Sequence, residues 1–221
     1  MSSLRYDFDT RIDRRGTACE KWDDMPHLFG RDDLLPFWVA DMDFRSAPEI
    51  IEAIKKEAEF GVFGYPTEQI ERYQKAVAGW ERKRHGWNVA PEHVDFMPGV
   101  VTGIAVALQE FTSPGDGIVV QTPVYPPFFR EIRQNGRVVV ENPLRETELG
   151  YEMDMDHLES ILKPGVRAIV MCSPHNPVSR VWRRDELAAL GKICLEREIF
   201  VICDEIHQDL IYSDASHTPL S

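Results

Sequence analysis

The chain has 221 residues, 43% hydrophobic and 28% charged, the composition of an ordinary soluble globular protein with room for one large domain or one and a half smaller ones. Its net charge of −12 argues against nucleic acid or an anionic membrane surface as partner, and no apolar run approaches the ~20 residues needed to span a bilayer. The four cysteines, Cys19, Cys172, Cys194 and Cys203, form no C-x-x-C pair and read as reduced thiols of a cytoplasmic protein.

The N-terminus lacks the basic-then-apolar pattern of a signal peptide. Residues 1–45 read as an irregular arm, rich in Asp, Arg and aromatics and broken by Pro26 and Pro36. Such an arm packs against another domain or subunit. Within it, Leu35-Pro36-Phe37-Trp38-Val39-Ala40-Asp41-Met42-Asp43-Phe44 is apolar yet holds two carboxylates at alternate positions; on composition alone it is a turn with solvated acids.

Ser46-Ala47-Pro48-Glu49 has the pattern of a capping box with proline at an early helical position. Ile50, Ile51, Ile54 and Ala58 continue at helical spacing, and Gly61 and Gly64 end the helix. Thr67 can cap a second helix whose apolar face is Ile70, Tyr73, Val77 and Trp80. Beyond Pro91 the texture changes. A short strand is expected over 93–97 and a buried helix over 100–111. A strand follows at 117–121, a helix at 126–134 and a strand at 137–141. Asp154 caps a short helix carrying Leu158, Ile161 and Leu162. A strand at 167–172, a helix at 186–196 with Leu187, Leu190 and Cys194 inward, and a strand at 199–203 complete the series. This alternation predicts an α/β fold, a mainly parallel sheet with helices on both faces, in three α/β/α layers. The chain stops after His217-Thr218-Pro219-Leu220-Ser221 with no closing strand or helix, so it reads as a fragment.

Open α/β sheets bind ligands beyond the carboxyl ends of their strands, and four features fall there. The apolar run Ile199-Phe200-Val201-Ile202-Cys203 leads into Asp204, a carboxylate whose burial needs a positive or hydrogen-bonding partner. His207 follows three residues later. Met97-Pro98-Gly99-Val100-Val101-Thr102 is a glycine turn opening a helix, whose free amides could cradle a phosphate. Tyr125, in Gln121-Thr122-Pro123-Val124-Tyr125-Pro126, could stack on a flat ligand. Asn176, between Pro174 and Pro177, is an amide on a restricted backbone. Taken one at a time, these residues also fit ordinary roles: a glycine turn, loop packing, a turn-forming Asn, a helix N-cap at Asp204 and a packing histidine. Together they suit a flat, phosphorylated, protonatable heterocycle, and pyridoxal 5′-phosphate has that chemistry.

In order and spacing these residues resemble the fold type I pyridoxal-phosphate enzymes of the aspartate aminotransferase superfamily. The stretches Leu35 to Phe44, Gly61-Val62-Phe63-Gly64-Tyr65, Ser173-Pro174-His175-Asn176-Pro177 and Asp204-Glu205-Ile206-His207 are similar to its MalY/PatB-type cystathionine β-lyase branch. The resemblance implies that Asp204 holds the pyridine nitrogen, Asn176 bonds the ring O3′ and Tyr125 stacks on the ring. It implies phosphate binding by the amides of Val100 and Val101. Tyr65 would reach the cofactor of a neighbouring subunit in a homodimer, and His207 would stand where many aminotransferases have a tyrosine. Asp41 and Met42 would line the substrate entrance. Residues 1–45 would be the arm and 46–221 the N-terminal part of the cofactor-binding large domain. The chain departs from the family in two places. Asn176-Pro177-Val178-Ser179 replaces Asn-Pro-Thr-Gly, putting serine where the family turn has glycine. The Schiff-base lysine is expected beyond Ser221; neither Lys163 nor Lys192 sits in a matching motif, so no catalytic residue is nominated within the chain.

The implied activity is carbon–sulfur β-lysis of a cysteine S-conjugate such as cystathionine. Transamination is the nearest alternative, and a non-catalytic binding relative is one from another class. A metal hydrolase on Asp204, Glu205 and His207 lacks a second histidine at ligand spacing.

Overall fold

The computed structural model describes residues 6–65, 70–148 and 150–220. The chain divides into two compact units, Met1–Tyr65 and Pro66–Ser221.

The segment expected to be irregular, up to residue 45, holds two helices among its described residues, α1 (Glu20–Asp23) and α2 (Met25–Phe29), and the expected helix α3 (Pro48–Phe60) follows. The first two are a single turn each, too short for their periodicity to show in sequence. Asp23 ties down the turn before α1, its carboxylate accepting from the amides of Gly16 and Cys19. Helix α3 corrects the expected capping box. Pro48 takes the first helical turn, so the N-cap is Ala47, which has no side-chain acceptor to offer, and Ser46 lies outside. Gly61 ends α3 in the left-handed region at φ 68°, as the sequence predicts.

In the second unit, α4 (Ile70–His85) comes first; the expected cap Thr67 lies outside the described residues. The predicted apolar face of α4 is largely uncovered: Ile70, Tyr73 and Trp80 are exposed, and Ala78 and Glu81 are the buried positions. The C-terminal segment is hydrogen-bonded to the last turns of α4. Trp80 Nε1 and Arg84 Nε donate to Asp209 (2.8 and 3.1 Å), and Gln208 Nε2 donates to Glu81 Oε1 (2.7 Å). A 3-10 turn, Pro91–His93, replaces the start of the strand expected over 93–97, and no strand forms there among the described residues. A strand needs a hydrogen-bonded neighbour, and no described strand lies beside this stretch.

There follow α5 (Val100–Phe111), β1 (Gly117–Val120), α6 (Pro127–Gln134), β2 (Val138–Glu141), β3 (Arg145–Thr147), β4 (Gly150–Glu152), α7 (Met155–Ile161), β5 (Val166–Cys172), α8 (Arg184–Glu196) and β6 (Phe200–Asp204). The β3–β4 hairpin escaped the sequence reading; with three residues a strand, neither arm is long enough to show alternation. Asp154 caps α7 as expected, accepting from the His157 amide at 2.9 Å.

The main sheet is wholly parallel, in the order β2-β1-β5-β6. Side chains alternate along each strand and so build two cores. Val119, Ile169 and Met171 meet α7 and α8 through Leu158, Leu187, Leu190 and Cys194 on one face. On the other, Ile118, Val120, Ala168 and Val170 meet α5 and α6 through Ile104, Leu108, Phe128 and Ile132. Each of the buried Val, Leu, Ile, Met and Phe side chains contributes about 1.5–3 kcal/mol. The result is the expected three-layer α/β/α arrangement.

The strand order places the site. From β1 the chain passes by α6, on one face, to β2; from β5 it passes by α8, on the other face, to β6. Neighbouring strands whose connections leave in opposite directions open a crevice beyond their carboxyl ends. Here that crevice lies between the loop after β1, residues 121–126, and the loop after β5, residues 173–180.

Candidate functional site

Asp204 is the last residue of β6 and is paired in register with Cys172, the last residue of β5. Its carbonyl accepts from the Ser173 amide at 2.9 Å, which ties the β5 loop to the end of β6. The Asp204 carboxyl is buried at 6% exposure, accepts from the Ile206 amide at 3.1 Å and has no ion pair among the described residues. Burial pushes its pKa up; the Ile206 bond and the field of His207 pull the other way. Beyond Asp204 the chain makes a turn rather than a helix, so this is a turn carboxylate and not a helix N-cap. His207 lies in that turn, half-buried.

Alternation along β6 sends Ile202 to the α5/α6 core and Val201 and Cys203 to the other. Asp204 therefore stands on the α5/α6 side. Helix α5 opens there at Gly99, whose φ of 115° and ψ of 145° lie in a region open to glycine. No side chain among the described residues caps α5. The first hydrogen bond back to Gly99 comes from Gly103 at 3.1 Å, and the amides of Val100, Val101 and Thr102 have no acceptor among the described residues. Three free amides at the positive end of a helix dipole form an anion cradle.

Tyr125 is half-buried, its ring edge-on to Phe128 at 5.8 Å and 88°. Asn176 is half-buried, and its side chain makes no hydrogen bond to another described residue. The bonds Thr122–Pro123, Ser173–Pro174 and Asn176–Pro177 are cis. After Asn176 the chain folds back, the Ser179 amide donating to the His175 carbonyl at 2.8 Å and the His175 amide to the Arg180 carbonyl at 2.7 Å. Ser179 has φ 56°. Serine where the family has glycine thus sits in the left-handed region and costs on the order of 1 kcal/mol.

The sequence reading passed over a set of buried polar groups at the same strand ends. Gln121 and Ser173 are at 0–1% exposure, and the side-chain atoms Gln121 Oε1 and Nε2 and Ser173 Oγ lack partners among the described residues. His175, equally buried, bonds the Pro123 carbonyl through Nε2 at 2.9 Å and packs edge-on against Trp182 at 5.4 Å. Trp182 in turn donates from Nε1 to the Cys172 carbonyl at 3.0 Å. The one sequence signal for His175 was its place beside Asn176 between two prolines. The thiols of Cys172 and Cys194 are buried and pushed up to about 12 and about 11 by desolvation, so both are inert neutral groups. Cys203 is half-buried rather than fully buried, and its thiol too is pushed up by desolvation.

In the first unit, Asp41 and Asp43 are held by cations rather than left to solvent, contrary to the composition-based expectation. Arg14 pairs with both, and Lys21 Nζ donates to Asp43 at 2.8 Å. Trp22 Nε1 donates to Asp43 at 2.9 Å. The Lys21 and Trp22 bonds, aided by Arg14, hold the Asp43 pKa down to about 2. Met42 and Tyr65 are exposed, Tyr65 completely.

The profile of the aminotransferase class I and II family matches residues 32–220. The chain is 47% identical to cystathionine beta-lyase PatB of Bacillus subtilis over 97% of its own length and 55% of that protein's. It is 36% identical to the MalY protein of Escherichia coli over 98% of itself and 56% of that relative. Among solved structures, cystalysin from Treponema denticola, which contains a pyridoxal 5′-phosphate cofactor, superposes with a TM-score of 0.90 at 39% identity, over 98% of this chain and 56% of that one. The PLP-bound C–S lyase of Staphylococcus hominis superposes at 0.88 and 31% identity, over 99% of this chain and 56% of that one. The chain thus spans about half the length of the relatives it matches.

Proposed function

The chain belongs to the class I and II aminotransferase family, and from that premise we propose that it is the N-terminal part of a pyridoxal 5′-phosphate-dependent carbon–sulfur β-lyase acting on cysteine S-conjugates such as cystathionine. The observation that carries this is Asp204, a buried acid at a strand end whose charge is disfavoured by burial and unpaired among the described residues. A protonated pyridine nitrogen is the partner such an acid needs. The other groups fit the same ligand. A phosphate suits the three free amides at the start of α5, and the unbonded Asn176 amide suits a ring oxygen.

When bound, the cofactor supplies an electron sink for the charge left on the substrate Cα. Asp204 keeps the ring nitrogen protonated, and the field of His207 favours its ionised form. Asn176 donates to the ring O3′. Tyr125 offers its ring face, and the amides of Val100 and Val101 hold the phosphate against the α5 dipole. On the family resemblance we assign Asp41 and Met42 to the substrate entrance and Tyr65 to the cofactor of a second subunit in a homodimer. Residues 1–45 are then the arm and 46–221 the start of the large domain. A cytoplasmic enzyme agrees with four free cysteines and with the finding that no helix among the described residues is long and apolar enough to cross a membrane.

The test is product analysis on the protein extended to the length of its relatives. Cystathionine plus water should give homocysteine, pyruvate and ammonia in equal amounts. A keto acid that retains the sulfur, formed without free thiol, would make the protein an aminotransferase instead.

A further inference from the structure

Two loops flank the crevice between β1 and β5, and one side chain joins them. His175 Nε2 lies 2.9 Å from the carbonyl oxygen of Pro123. A carbonyl only accepts, so Nε2 carries the proton and Nδ1 is the acceptor nitrogen. Pro123 stands two residues before Tyr125, and His175 directly precedes Asn176. A second bond, Ser173 amide to Asp204 carbonyl at 2.9 Å, joins the same loop to the end of β6. Together the two bonds link the segments that carry Tyr125, Asn176 and Asp204, which belong to three separate strand ends.

The surroundings suit a fixed, neutral ring. His175 is 1% exposed, and Trp182 meets it edge-on at 5.4 Å and 81°. Burial pushes its pKa down, so the ring stays neutral where an exposed histidine would begin to charge. Trp182 is itself fully buried and anchored to the Cys172 carbonyl, so the ring cannot swing away without opening the core beneath it.

Resting on the cofactor reading above, we propose that His175 is a positioning residue for that site: through the Nε2–H bond to the Pro123 carbonyl it holds the Tyr125 loop and the Asn176 loop at a fixed separation. It touches neither substrate nor cofactor in this role. A packing role alone would ask only for a ring of this size, whereas the clasp asks for a donor at the Nε2 position.

The experiment compares the unsubstituted chain with H175F, which keeps ring packing against Trp182 but has no donor, and H175Q, whose amide N–H reaches the Nε2 position. Pyridoxamine 5′-phosphate is the probe, since it needs no Schiff-base lysine. Amide hydrogen exchange over 121–126 and 173–180 is read without any ligand. In H175F both loops should exchange faster and the probe should bind about tenfold more weakly, the effect of one lost buried hydrogen bond. H175Q should restore both to within about threefold. The 15N spectrum of the unsubstituted chain should show His175 as the neutral Nε2–H tautomer. Loops that keep their protection in H175F would overturn the clasp. Loops that loosen while the probe binds as before would overturn its positioning role. If the unsubstituted chain binds no probe although both loops are protected, it is the cofactor reading that fails, and the inference falls with it.

Discussion

Asp204 and Asp43 show how the same carboxyl group is driven in opposite directions by its neighbours. Burial raises the pKa of Asp204, so the folded state binds its proton more tightly than the unfolded state does. Its ionisation therefore costs stability as pH rises from the ordinary carboxylate range through the raised value, and the cost stays constant above it. Replacing Asp204 with Asn should make the ligand-free chain more resistant to urea at pH 7. The advantage should vanish below about pH 4, where the acid is protonated in both states. The same variant should bind pyridoxamine 5′-phosphate at least tenfold more weakly, about one hydrogen bond to a charged group. A variant less stable than the parent at pH 7 would contradict this account. For Asp43 the sign reverses. Lys21, Trp22 and Arg14 lower its pKa to about 2, so its contribution is complete above the ordinary value of 3.8 and is lost as pH falls through about 2.

Helix α5 brings its amides to the crevice only if its far end is anchored, and Arg137 provides the anchor. Its guanidinium is buried at 8% exposure and donates to the carbonyls of Leu108, Thr112 and Asn135 and to Thr112 Oγ1. The first two carbonyls belong to the C-terminal end of α5, where a cation is favoured; that of Leu108 also accepts from the Thr112 amide at 3.2 Å. Arg137→Ala removes the Arg137 donors from the Thr112 and Asn135 carbonyls and should cost about 3 kcal/mol, measured by urea denaturation. Arg137→Lys keeps the charge but loses the fork, so it should recover only part of the loss. Equal stability of the parent and the alanine variant would show that α5 is held by packing alone. Sequence spacing identified Arg137 only as the start of a strand. Its acceptors at the end of α5 lie 25 and 29 residues earlier, and no local pattern links them.

At the scale of the molecule, the parallel sheet is sealed on both faces but not along β6. Among the described residues β6 pairs with β5 alone, and Phe200 and Phe111 stack at 4.0 Å beside that edge with both rings partly exposed. An unpaired strand edge flanked by apolar surface templates further pairing. In sedimentation velocity the 221-residue chain should therefore self-associate as its concentration rises. A single monomeric boundary across a tenfold concentration range would refute that. Pairing also decides a missed prediction: residues 93–97 read as strand in sequence, yet no described strand lies beside them to make them one.

What the sequence alone determined was local or periodic. Alternating strand and helix patterns with apolar runs at 117–121, 167–172 and 199–203 specified the α/β class, because burial on both faces demands continuous apolar strands. Asp154 as a cap, Gly61 as a helix end and Asp204 at a strand terminus were legible for the same reason: each depends on its immediate neighbours. Tertiary structure decided everything that depends on residues distant in sequence. The order β2-β1-β5-β6 sets the crevice between β1 and β5, and periodicity carries no information about which strands become neighbours. His175 met Pro123 across 52 residues, Arg14 met Asp43 across 29, and the exposed face of α4 turned out to be the one its pattern called apolar. Those outcomes rest on hydrogen bonds, ion pairs and burial that come into being only when the chain is folded.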